Sequence, residues 1–77
     1  MMTVLDGRNS NKVPEIIQIS EDTIFEKINE EVFCLMMDNC FVPCVKAHTS
    51  YGEYDYILCA AYKTHNGFDR WYNRMFK

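Results

Sequence analysis

Apolar positions fall into six groups along the chain, separated by clusters of turn-forming residues. Met2 to Leu5 is a short apolar run, and Asp6-Gly7-Arg8-Asn9-Ser10-Asn11 after it is a dense turn cluster. Val13 to Ile19 is rich in β-branched residues and suits a strand, with Pro14 confining it to an edge or a strand start. The first two groups either pair as a hairpin across a loop of about seven residues, longer than the usual 2–5, or residues 1–12 form a flexible arm.

The third group predicts a helix over residues 20–38. Ser20 is a good N-cap, with Glu21 and Asp22 in the first turn, where the helix dipole favours acids. Ile24, Phe25, Ile28, Val32, Leu35 and Met36 recur at helical spacing. Glu26, Lys27, Glu30 and Glu31 fall on the other side, and Asn39 closes the helix because asparagine tolerates the left-handed conformation.

The fourth and fifth groups alternate. In Cys40 to His48, Phe41, Pro43, Val45 and Ala47 face one way and Val42, Cys44, Lys46 and His48 the other. Pro43 implies a bulge or a free edge. Thr49-Ser50-Tyr51-Gly52-Glu53 is a hairpin loop with Gly52 at a positive-φ position. In Tyr54 to Lys63, the compact Ile57, Cys59 and Ala61 read as the core face. Tyr54, Tyr56, Leu58, Ala60 and Tyr62 form the opposite, amphipathic face. After the break at Thr64-His65-Asn66-Gly67, the residues Phe68, Trp71, Tyr72, Met75 and Phe76 follow the stripe of an amphipathic helix.

The order is therefore β-β-α-β-β-α. It predicts an α+β fold: a small antiparallel sheet with two helices packed on one face, leaving the tyrosine face open. Seventy-seven residues make one small domain, 1–77. A chain of this size buries only about 60% of its unfolded surface, and its five Phe, five Tyr and one Trp partly offset that.

Charge changes the functional picture. Residues 15–38 carry seven acids against one lysine, while residues 39–77 carry five bases against three acids. Duplex nucleic acid needs many phosphate contacts from one basic face, so it is not the expected partner. No signal-peptide core or membrane-length apolar run is present, and the expected location is the cytoplasm, with no membrane association. There the four cysteines stay reduced.

Candidate chemistry is thin. Cys34, Cys40, Cys44, Cys59, His48 and His65 lack the close knuckle of a zinc module, so no metal or other cofactor is expected. Cys44 with His65, or Cys59 with His48, would make a nucleophile pair only with a base in reach and an electropositive setting. Buried thiols are the plainer reading. Glu26, Glu30 and Glu31 read as a solvated face rather than catalytic carboxylates. The three glycines are scattered turn residues and imply no phosphate cradle.

The expected function is that of a small non-enzymatic protein-binding module, a regulator or inhibitor of a larger macromolecule. Its size suits an accessory protein of a phage or mobile element. The expected partner-binding residues are Tyr54, Tyr56, Tyr62, Arg70 and Arg74, because Tyr and Arg are enriched at interfaces. A homodimer is one arrangement that would cover the tyrosine face. Two alternatives stand beside this. One is a binder of single-stranded nucleic acid, with the tyrosines stacking bases near Lys46. The other is a small cysteine-dependent enzyme.

Overall fold

A computed structural model describes residues 1–48 and 52–77. It contains six strands and one helix: β1 (Met2–Asp6), β2 (Glu15–Ile19), β3 (Ile24–Lys27), β4 (Val32–Met37), β5 (Cys40–Lys46), β6 (Tyr56–Leu58) and α1 (His65–Phe76). The strands make one mixed sheet in the order β2-β1-β6-β5-β4-β3, antiparallel throughout except for β1 beside β6. The class is mixed α and β, but with one helix and not two.

The connection from β2 to β3 shapes the molecule. These strands are the two edges of the sheet and run in the same direction. Laid flat, the edges of six strands would stand about 24 Å apart. The chain from Ile19 to Ile24 reaches at most about 18 Å, and Glu21–Thr23 in its middle is a compact 3-10 turn. The sheet must therefore coil. Twist of about 20–25° per strand brings its first and last strands together end to end at a corner, and the sheet becomes barrel-like.

Its inner face is then a core in its own right. Val4, Leu35, Val42, Cys44 and Leu58 are fully buried there, with Met2 and Ile19 nearly so. The outer face carries a second core, in which Phe68 and Trp71 of α1 cover Val32 and Cys34 of β4. The helix is thus an outside cover, and the face opposite it is interior rather than open to solvent.

The expected helix over residues 20–38 is not formed. Ser20 does cap, its Oγ accepting from the Asp22 amide at 3.2 Å, but the turn it starts lasts three residues. Asn29 then ends any helical path, because its Oδ1 accepts from the amides of Glu31 (2.7 Å) and Val32 (3.0 Å) in a tight turn. The run Val32 to Met37 is a central strand buried on both faces, so its continuous apolar character matched a helix stripe as well as a strand. Asp38 and Asn39 have φ of 52° and 62°. The left-handed tolerance expected of a helix end serves instead a two-residue hairpin turn between β4 and β5.

Other expectations hold. β1 and β2 form the hairpin, and residues 2–6 lie inside the sheet between β2 and β6. Phe41 and Val45 face the helix while Val42 and Cys44 face the inner core, as alternation requires. Gly52 has φ of 67°; Thr49 to Tyr51 of the expected loop lie outside the described residues.

Pro43 marks a bulge inside a central strand. Between the pairs Cys44↔Leu58 and Phe41↔Tyr62, Val42 and Pro43 of β5 face Cys59, Ala60 and Ala61. The extra residue lies where proline has no N–H to give. It also flips the alternation. Tyr56 and Leu58 belong to the inner core, and Tyr62, beyond the bulge, belongs to the outer one. Leu58 fills the core position expected of Cys59 and Ala61, which are exposed, and Ile57 is half-buried on the outer side.

Candidate protein-binding surface

The bulge divides the expected site. Tyr56 lies in β6 with its ring 5.4 Å from that of Phe33, and Lys46 is its partner across the ladder. Tyr54 joins them at one end of the barrel, in a cleft of about 390 Å³ that also receives Glu21 and Asp55. Tyr62 is elsewhere, packed beneath the first turn of α1, where a Cβ on Gly67 would stand 3.1 Å from its Cβ. Arg70 and Arg74 are exposed on α1, three and seven residues beyond Gly67 and so on the same flank of the helix. The structure gathers Tyr62, Arg70 and Arg74 on one side of the helix and sets Tyr54 and Tyr56 apart from them.

That flank borders a surface that sequence reasoning missed. Cross-strand partners on the outer face form one apolar row over five strands: Ile16, Leu5, Ile57, Val45 and Val32. Val45 and Val32 lie under the helix in the outer core. Leu5 and Ile57 are half-buried, and Ile16 is 45% exposed. On the other flank of α1, Asn29 Nδ2 donates to the Tyr72 hydroxyl at 3.2 Å. With Tyr72 turned toward Asn29 at the β3–β4 side, helical spacing turns the Arg70 and Arg74 flank toward the β6-β1-β2 part of the row. A signal for it was present: Ile16, Ile17 and Ile19 cannot all share one face of a strand, so one of them had to lie outside.

The N-terminal end of α1 is clamped to β3. Thr64 caps it, its Oγ1 accepting from the Gly67 amide at 3.1 Å. A register shift between Ile24 and Glu26 places Phe25 and Glu26 together on the helix side. His65 Nε2 lies 3.1 Å from Glu26 Oε1, and its Nδ1 lies 3.1 Å from Asp69 Oδ2. The imidazole packs among Phe25, Phe41 and Phe68, with ring centroids 6.1, 5.5 and 6.0 Å away. The hydrogen bond to Glu26, with the nearby Asp69 charge, raises the His65 pKa above its ordinary value. With both ring nitrogens engaged, His65 in this arrangement holds a joint and has no nitrogen free to act as a base.

At the opposite end of the barrel, Arg8 joins two loops. Its Nε and Nη2 donate to Asp6 at 2.9 Å each and its Nη1 to Asp38 at 3.1 Å, linking the β1–β2 loop to the β4–β5 turn. The bond from Arg8 holds the Asp6 carboxyl below its usual range, against some desolvation. A groove of about 590 Å³ opens beside this pair. Its lining sets Asp6, Glu15 and Asp38 against Arg8 and Lys12, so three acids face two bases and most of the charge is paired within the groove.

Cys34 and Cys44 are set for packing. Burial pushes Cys34 up to about 11, helped by the charges of Glu26 and Asp69, and pushes Cys44 up to about 12. An activated nucleophile needs the opposite shift. Cys44 faces the inner core while His65 lies on the outside, so that pair is not formed. His48 lies 3.6 Å from Glu31, and among the described residues no histidine hydrogen-bonds a cysteine. Among the described residues no three His, Cys, Asp or Glu side chains are grouped to hold a metal ion. No described helix is long and apolar enough to cross a membrane.

No protein-family model, no curated protein and no solved structure matches this chain.

Proposed function

We propose that this protein is a small protein-binding module, a regulator or inhibitor of a larger macromolecule, which docks through its outer face beside α1. The observation that carries this reading is the apolar row from Val32 to Ile16, covered by the helix at one end and bare at the other. Arg70 and Arg74 are exposed on the flank of α1 opposite Tyr72, the side toward which the bare part extends. An apolar floor with an arginine wall suits a partner that offers apolar anchors and acidic side chains around them. Tyr62, beneath the same flank, supports the floor rather than reaching the partner.

Affinity capture from cells of the native host tests this. Wild type is expected to retain a specific protein, and Arg70→Glu with Arg74→Glu to lose it at an unchanged melting temperature. Equal capture by the double variant would place the surface elsewhere.

One observation favours a second reading. Tyr54, Tyr56 and Lys46 share a cleft, an arrangement suited to stacking an unpaired base beside a phosphate. Glu21 and Asp55 in the same cleft oppose a phosphate backbone. A salt titration with short oligonucleotides separates the readings: absence of binding at low salt removes the second.

A further inference from the structure

The two edges of the sheet are unequally protected. β3 is four residues long, is broken by the register shift at Phe25 and carries Glu26 and Lys27. Bulges and charges of this kind are how edge strands avoid pairing. β2 is five residues long, pairs with β1 in unbroken register and has Glu15 as its one charge. Among the described residues it has a hydrogen-bonded neighbour on one side only.

The free backbone groups of β2 can be identified from β1. The Thr3 carbonyl accepts from the Asp55 amide at 2.9 Å, and the Gly7 amide donates to the Leu58 carbonyl at 3.0 Å. Odd-numbered residues of β1 therefore turn their backbone groups toward β6, and Met2, Val4 and Asp6 turn theirs toward β2. Their partners are Ile19, Ile17 and Glu15. By alternation, the N–H and C=O of Ile16 and Gln18 point out at the free edge.

We propose that two copies of this chain associate by antiparallel pairing of β2 with β2, centred on Ile17. In that register the free N–H and C=O of Ile16 meet those of Gln18 in the other copy, and reciprocally, so every edge group finds a partner. Ile17 stands across from its twin in a close non-hydrogen-bonded pair, about 4.5 Å between Cα atoms. Glu15 stands across from Ile19, and the two Glu15 residues are about 14 Å apart along the strands, so no like charges oppose. Pro14 occupies the next edge-facing position and has no N–H to give, so pairing ends where self-complementarity ends. The half-exposed Ile16 gains cover from its twin diagonally across the join.

This inference shares Ile16 with the docking surface above but uses the backbone of β2 and neither arginine, so the Arg70→Glu/Arg74→Glu variant separates the two. Sedimentation of the full chain between about 10 µM and about 1 mM is expected to show the mass rising from 9.1 kDa toward twice that value. Over the same range, hydrogen exchange at the Ile16 and Gln18 amides slows while that at Ile17, already facing β1, does not change. Gln18→Pro removes an edge donor that the fold does not use and is expected to keep the chain monomeric, while Gln18→Ala and the Arg70→Glu/Arg74→Glu variant still dimerise. If Gln18→Pro fails to fold, Ile16→Lys, which sets two lysines diagonally across the join, takes its place and is expected to be monomeric. A monomeric wild type at the highest concentration overturns the proposal. So does a proline or lysine variant that dimerises like wild type, or protection that appears away from Ile16 and Gln18.

Discussion

His65 on the helix and Glu26 on the far edge of the sheet meet with Nε2 and Oε1 3.1 Å apart. Because Nδ1 also lies 3.1 Å from Asp69, both ring nitrogens need a proton to satisfy both carboxylates, and the charged imidazolium is the form that fits. Its folded-state pKa is raised. The stabilisation is therefore present in full below the ordinary histidine value, about 6.5, and is lost as pH rises through the raised folded value. The melting temperature of wild type is expected to fall as pH rises above about 6.5, and that of His65→Gln to change less. All three groups are more than a third exposed, so the effect is small and shrinks with added salt. Parallel pH and salt series of thermal melts check both points.

Gly67 sits where the first turn of α1 packs tightly on Tyr62. Alanine there would favour the helix by about 1 kcal/mol. Its Cβ, however, would lie 3.1 Å from both Cβ and Cδ1 of Tyr62. Tyr62 cannot easily retreat, because its amide and carbonyl both bond to Phe41, at 2.9 and 2.6 Å. Gly67→Ala is expected to lower stability by about 1–2 kcal/mol despite the propensity gain. A shift of the urea midpoint at constant slope measures it.

The β4–β5 turn needs two consecutive left-handed residues. Asn39→Gly is expected to raise stability by about 0.5 kcal/mol and Asn39→Ala to lower it by about 1 kcal/mol. A loss of similar size in Asn39→Gly would mean that the asparagine side chain, not its backbone conformation, matters. Urea denaturation of the two variants side by side decides between these.

The four thiols should separate by access. Cys59 is exposed, Cys40 is half-buried, and Cys34 and Cys44 are buried. Alkylation followed by peptide mass mapping is expected to find Cys59 modified first and Cys34 and Cys44 only after unfolding. Cys44→Ser would place a hydroxyl without a partner in the inner core and cost about 1–3 kcal/mol.

What could be read from the sequence depended on whether a segment's pattern had one meaning. The stripe from Phe68 to Phe76 fits only a helix, and alternation in Cys40 to Lys46 assigns Val42 and Cys44 to one core and Phe41 and Val45 to the other. Val32 to Met37 fits a helix stripe and a doubly buried strand equally, and the deciding feature was the Asn29 side chain bonding its own neighbours. Pro43 signalled a bulge, but not which residues of the facing strand would be doubled. That missing detail turned Tyr62 to the opposite face from Tyr56 and split the expected tyrosine surface. The three isoleucines of β2 showed that one of them lies outside, but the full apolar row could not be assembled from any one strand, since it exists only once β1 is known to lie beside β6.

The parallel pairing of β1 with β6 also orders events in time. Val4 and Leu5 align with Tyr56 and Ile57, so the inner side of the first strand stays unfilled on the ribosome until nearly the whole sheet has been made. The β1–β2 and β4–β5 hairpins can form as they emerge, but neither completes the inner core by itself. Closure of the longest loop is the step that joins them. A nascent chain stalled before Leu58 would lack the residue that pairs with both Asp6 and Cys44, leaving Val4, Val42 and Cys44 open to chaperones and proteases.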